Sequence, residues 1–134
     1  MLNLMRACEP IDVLVVAPVP DFDRASGALR FYSMLRMLAR KYRVTLLGWI
    51  DAEDPRSPRY VQAVTDAGVT VHVVPREDVV AGLDELVGRV GVCVLFEFFT
   101  SAEWVLGSVR LRRPDLPIVN DSVDVHYLRE MRGA

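Results

Sequence analysis

The sequence predicts an α/β fold: a Rossmann-like three-layer sandwich around a parallel sheet of about five strands, expected in the order 3-2-1-4-5. Three observations predict it. Short runs rich in valine, isoleucine and leucine, such as Val13–Ala17 and Val92–Phe96, have the continuous apolar character of strands covered on both faces. Segments with apolar residues three and four apart alternate with those runs five times. The connections are too long for hairpins, which argues for parallel strands joined by right-handed helical crossovers.

Taken in order, Met1–Pro10 reads as a flexible leader, and 11–134 as one domain. Ile11–Ala17 is the first strand. A polar loop, Pro18–Gly27, follows, and Ala28, Phe31, Tyr32, Leu35, Leu38 and Ala39 give one face of a helix spanning Ala28–Lys41. Ser26 is placed to cap that helix, and Gly27 allows close approach of a ligand to the backbone. Tyr42–Gly48 is the second strand, and Trp49–Pro58 a loop by its prolines and acidic residues. Tyr60–Ala67 is a short helix ended by Gly68. Val69–Val74 is the third strand, closed by Pro75.

Val79–Val90 has the helical period again, with Gly91 as its stop. Val92–Phe96 is the fourth strand, Glu97–Ser101 a loop, and Ala102–Arg112 a helix capped by Thr100 or Ser101. Ile118–Asn120 is a short fifth strand. Asp121–Glu130 reads as a loop entering a helix.

Composition bounds the function. The chain has 134 residues, 51% of them hydrophobic, enough for a sizeable core. A net charge of -2 argues against nucleic acid as a partner. The cluster Arg110, Arg112 and Arg113 fits the solvated end of a helix better than a phosphate patch. Two cysteines make no disulfide framework, so the expected compartment is cytoplasmic. No run approaches the ~18 apolar residues of a membrane span.

In a sheet of this order, ligands bind beyond the carboxyl ends of the strands where the strand order reverses. The loops there are Pro18–Gly27, Glu97–Ser101 and Asp121–His126. Each candidate has a structural reading beside the functional one. Asp21 and Asp23 suit turns as well as ligand binding. Arg30 is a surface cation or a site residue, and a cation in a first helical turn is electrostatically unfavourable, which favours the functional reading. Glu97, directly after a buried strand, is a site residue or half of an ion pair. His126, after Asp121 and Asp124, is the best proton-exchanging candidate, whereas His72 reads as an ordinary strand residue. The G-x-G-x-x-G and G-x-x-x-x-G-K phosphate motifs are absent, and no metal-ligand spacing occurs. The acidic and lysine positions of a phosphorylated receiver domain are absent too.

Val13-Leu14-Val15-Val16-Ala17-Pro18, leading to Asp21-x-Asp23-x-x-Ser26-Gly27-x-x-Arg30 and then Tyr42-Arg43-Val44-Thr45-Leu46-Leu47, resembles the opening of GT-B glycosyltransferases, especially the family-4-like group (group 1). Val119-Asn120-Asp121-Ser122-Val123-Asp124-Val125-His126-Tyr127-Leu128-Arg129-Glu130 is similar to the segment after the fifth strand of the same N-terminal domain. The resemblance implies the acceptor-side half of a two-domain enzyme using a nucleotide-sugar as donor substrate, with no metal and no cofactor. It places Gly27 and its neighbours near the donor diphosphate, His126 at the reacting sugar, and Arg30 or Asp23 on the acceptor side. Many relatives pair two glycines where this chain has Ser26-Gly27. The paired-glutamate donor motif of the C-terminal half does not occur in these 134 residues. The domain is therefore expected to be incomplete and inactive alone, with a C-terminal donor-binding domain or partner chain supplying the rest.

Two other classes stand beside this one. The first is a non-catalytic Rossmann-like interaction module using Trp49, Phe98, Phe99 and Trp104 as exposed aromatics, with self-association as a corollary. The second is a small nucleotide-binding enzyme complete in itself, supported only by Ser26-Gly27. A peripheral membrane association is left open by the lipid acceptors such enzymes often serve.

Overall fold

A computed structural model describes residues 9–24, 26–50, 57–97 and 99–121, with the backbone alone for 96–105 and 121. Strand β1, Ile11–Pro18, is the centre of a five-stranded, wholly parallel sheet. Its neighbours are β2, Val44–Trp49, and β4, Val90–Glu97; β3, Thr70–Val73, and β5, Ile118–Asp121, form the edges. The order is β3-β2-β1-β4-β5, as the alternation of strand and helix patterns predicts.

Why β1 is central follows from its side chains. Val13, Leu14, Val15, Val16 and Ala17 are all 3% exposed or less, so both faces of the strand are covered. Val13, Val15 and Ala17 join Phe31 and Leu35 of helix α1, Ser26–Ala39, and Val64 of helix α2, Ser57–Asp66. Leu14 and Val16 join Val79, Leu83 and Leu86 of helix α3, Val79–Leu86, and Val109 of helix α4, Phe99–Arg112. The layers thus divide as α1 and α2 on one face, α3 and α4 on the other.

Several boundaries differ from the sequence reading. The third helix stops at Leu86 rather than Val90, and Val87–Arg89 forms a 3₁₀ turn. Val90 already pairs with Ile11, so Gly91 lies inside β4 instead of ending a helix. Sheet pairing overrides the helical period there, and the register shift between Ile11 and Val13 absorbs the extra residue.

Helix α4 begins at Phe99, so Thr100 and Ser101 of the expected Glu97–Ser101 loop lie inside the helix. Helix α2 begins at Ser57, with Pro58 in its first turn, where the missing N–H costs no helical hydrogen bond. Trp49 is the last residue of β2, 4% exposed and paired with Pro18, and is no exposed aromatic. Phe98 and the side chains of Phe99 and Trp104 lie outside the described residues.

Gly68 ends α2 with φ +98, a left-handed conformation that a side chain disfavours. No helix among the described residues is long and apolar enough to cross a membrane.

Candidate functional site

The carboxyl ends of β1, β4 and β5 lie side by side, because the order reverses at β1. Beyond Pro18 the chain turns over that end. The Val19 N–H donates to the Trp49 carbonyl (2.9 Å), and the Arg24 N–H to the Asp21 carbonyl (2.9 Å). Asp21 therefore serves the turn through its backbone, while its side chain is half-buried.

Phe22 and Asp23 tie this loop down. The Phe22 ring stacks on Tyr32 of α1 at 4.6 Å between centroids and meets Tyr60 of α2 edge-on at 5.2 Å. Tyr60 donates its hydroxyl hydrogen bond to Asp23 Oδ1, and Arg59 pairs with Asp23 Oδ2 at 3.2 Å. The Asp23 carboxylate is thus engaged with α2, which makes it an anchor of the loop. The guanidinium of Arg36 lies 5.8 Å from the Tyr32 ring centroid, extending the aromatic stack. Sequence reasoning missed Tyr32, Arg59 and Tyr60. The one available signal was Phe22, a large apolar residue in an otherwise polar loop.

Ser26 and Gly27 fall in the first turn of α1, rather than before it as a cap and a loop glycine. Ser26 is exposed and Gly27 half-buried. No acidic residue occupies this turn, so its amide hydrogens meet no carboxylate of their own helix. Arg30 stands exposed on the outer side of α1, alongside Met34 and Met37.

Glu97 and Asp121 are not loop residues: they are the last residues of β4 and β5, and they pair in register. Two acidic positions are thereby adjacent at the carboxyl edge of the sheet, next to Asn120, which pairs with Phe96. Asp124 and His126 lie outside the described residues. The structure thus brings together Asp21, Asp23, Ser26 and Gly27 on one loop-and-helix junction. It sets Glu97 and Asp121 at the strand ends on the β4–β5 side, and leaves Arg30 one turn into α1.

The opposite end of the sheet has a different chemistry. An open crevice of about 630 Å³ there is lined by Arg43, Thr45, Thr70, His72 and Arg89 among others. Arg43 is committed to Asp12: its Nε and Nη2 donate to the two carboxylate oxygens at 3.3 and 3.0 Å. Those side-chain bonds, with one from the Arg43 backbone N–H, hold the Asp12 carboxyl below its ordinary range. Arg89 donates to the Glu9 carbonyl at 3.1 Å.

His72 sits on edge strand β3. Burial pushes its imidazole pKa down, and the nearby Arg89 charge adds to the effect against Glu85. Burial also pushes the Cys93 thiol up, consistent with a small apolar packing role. Among the described residues, no cluster of three or more His, Cys, Asp or Glu side chains is arranged to hold a metal ion.

No protein-family model matches the chain, and no curated protein matches it. Among solved structures, it is similar to the crystal structure of eIF2B beta from Chaetomium thermophilum, with a TM-score of 0.51 and 15% sequence identity. That likeness covers 84% of this chain and 36% of the other, so the chain spans about a third of that neighbour's length. A universal stress protein from Archaeoglobus fulgidus aligns over 90% of this chain and 98% of its own, with 14% identity and a TM-score of 0.43. At 15% identity the likeness to eIF2B beta concerns architecture alone, and that architecture is a Rossmann-like α/β fold.

Proposed function

We propose that this chain is the N-terminal, acceptor-side part of a nucleotide-sugar-dependent glycosyltransferase. It contributes one wall of the cleft and part of the donor-diphosphate environment. The observation that carries the reading is the junction of β1 with α1. A loop pinned by Phe22 and Asp23 delivers the amino end of a 14-residue helix, with no acid in its first turn, to the point where the strand order reverses. Amide hydrogens and the positive end of a helix dipole suit a diphosphate leaving group, whose charge grows as the glycosidic bond to the donor breaks.

Within this reading, Ser26 and Gly27 approach the diphosphate and Arg30 lies toward the acceptor. His126 stands by the transferred sugar, with Glu97, Asp121 and Asp124 bordering it. A C-terminal domain or partner chain holds the nucleotide.

The test uses the native polypeptide that carries this domain, assayed for transfer from a panel of nucleotide-sugars. Gly27→Asp puts a carboxylate where the diphosphate would meet the helix. The expected result is a donor KM raised about tenfold or more, equivalent to ~1.4 kcal/mol. An unchanged KM, or no transfer from any donor in the panel, would remove the diphosphate from this junction.

A further inference from the structure

The amino end of the sheet holds a second concave surface, remote from the proposed cleft. Its crevice of about 630 Å³ has room for far more than one water, which fills about 30 Å³. Part of the lining comes from two neighbouring strands. Thr45 of β2 pairs in register with Thr70 of β3, and Leu47 with His72. Side chains two apart on a strand share a face, so Thr45, Thr70 and His72 stand on the face that Leu47 gives to α3.

Thr45 is the informative member of this row. It lines the crevice at 5% exposure, and its hydroxyl has no hydrogen-bond partner among the described residues. A buried hydroxyl without a partner destabilises a fold, and a valine there would avoid that cost. Thr70 and His72 are exposed at the mouth of the crevice, and their side chains also bond to no described residue.

Charge narrows the ligand. Arg43 is taken by Asp12, and Glu9 lies near it. At His72, the positive charge of Arg89 outweighs the negative charge of Glu85, so the field over the row is net positive. Asp12, Glu9 and Glu85 nevertheless stand nearby, and their repulsion weighs more heavily on a dianion than on a monoanion.

We infer that this crevice binds a small monocarboxylate. Its oxygens accept hydrogen bonds from the Thr45 and Thr70 hydroxyls and the His72 ring N–H, and Arg89 supplies the opposite charge. An ionised carboxylate is an acceptor only, with two oxygens for several donors, which suits this row. The crevice lies at the opposite end of the strands from the proposed cleft, so the inference is independent of the glycosyltransferase reading.

The probe is lactate, titrated into the native polypeptide that carries this domain, with threonine methyls and histidine rings isotopically labelled. Inorganic phosphate and chloride are titrated beside it at matched ionic strength. The expected result is a saturable shift of the Thr45, Thr70 and His72 resonances by lactate, with phosphate at least about tenfold weaker. Lactate binding should tighten as pH falls and His72 gains its proton between Arg89 and Glu85, and bound lactate should raise the pH at which His72 titrates. Thr45→Val should weaken lactate about tenfold while leaving the urea midpoint of the ligand-free protein unchanged or raised.

Phosphate or chloride shifting the same resonances as strongly as lactate would overturn the inference. So would the absence of a saturable lactate shift, or a Thr45→Val protein that binds lactate like the wild type. A lowered urea midpoint in Thr45→Val would show that the hydroxyl is already satisfied within the fold, and would overturn it as well.

Discussion

The two ends of the sheet use charge in opposite ways. At the amino end, cations are committed to structure: Arg43 grips Asp12, and Arg89 reaches the Glu9 carbonyl. Arg113 donates to the carbonyls of Val87 and Val90 at 3.2 and 3.1 Å while pairing with Asp115 at 2.9 Å. Those carbonyls belong to the 3₁₀ turn and the start of β4, so Arg113 serves acceptors that a helix end leaves open. At the carboxyl end, Asp23 holds the loop through Tyr60 and Arg59. The amide end of α1 and the acidic pair of positions at Glu97 and Asp121 are set at the strand ends. One end is stitched by ion pairs and carbonyl contacts; the other is braced at Asp23.

The largest expected effect erases the comparison. Leu14 is fully buried at the middle of β1, and Leu14→Ala should cost about 3–5 kcal/mol. Denaturant unfolding should show the loss, and exchange of amides at both ends should accelerate together.

Gly48→Ala acts on one end. A Cβ at Gly48 would lie 3.0 Å from the Ala17 carbonyl oxygen and 3.2 Å from a Val19 methyl, where β1 enters the loop. A cost of about 1–3 kcal/mol is expected from the crowding. Amide exchange should quicken around 17–19 before it does around 43–45.

Tyr60→Phe should cost ~1 kcal/mol by removing the hydroxyl bond to Asp23 while keeping the ring against Phe22. The signature is faster exchange at 19–24 with the amino-end amides unchanged. Equal acceleration everywhere would mean the loop has no anchor of its own.

The smallest effect concerns His72. Its folded pKa lies below the ordinary 6.5, so between the two values the unfolded chain binds more protons than the folded one. Its contribution is fully present above about 6.5 and is lost as pH falls through the folded pKa. His72→Gln should flatten stability against pH on the acid side of 6.5, measured by urea midpoints from pH 7.5 down to 5. An unaltered slope would show that His72 is as well solvated folded as unfolded.

Much of the fold was legible because it depends on patterns that only one architecture satisfies. Val13–Ala17 is apolar at every position, which a strand needs only when both faces are covered, and that places it at the centre. Boundaries were less legible where two periods compete: Val87 and Val90 fit the helical pattern of α3, yet pairing with Ile11 draws Val90 into β4. Trp49 followed a strand and preceded prolines, so it read as loop. Its burial depends on α3 and the Pro18 pairing, which are remote in sequence.

The site was legible in place but not in detail. Topology alone put Asp21, Asp23, Ser26 and Gly27 near the reversal of strand order. That Asp23 turns toward Tyr60 and Arg59 is a contact across more than thirty positions, which no local pattern encodes. Glu97 and Asp121 read as separate loop residues because their register across β4 and β5 exists only in the folded sheet.

The central claim is that ligand binds at the carboxyl end. Amide chemical-shift mapping of this domain, labelled within the native polypeptide that carries it and titrated with uridine diphosphate and then with a nucleotide-sugar, tests it most directly. The account predicts shifts confined to 19–24, 26–28 and the last residues of β4 and β5. Shifts centred on Arg43, Thr45, Thr70 and Arg89, or none at saturating ligand, would contradict it.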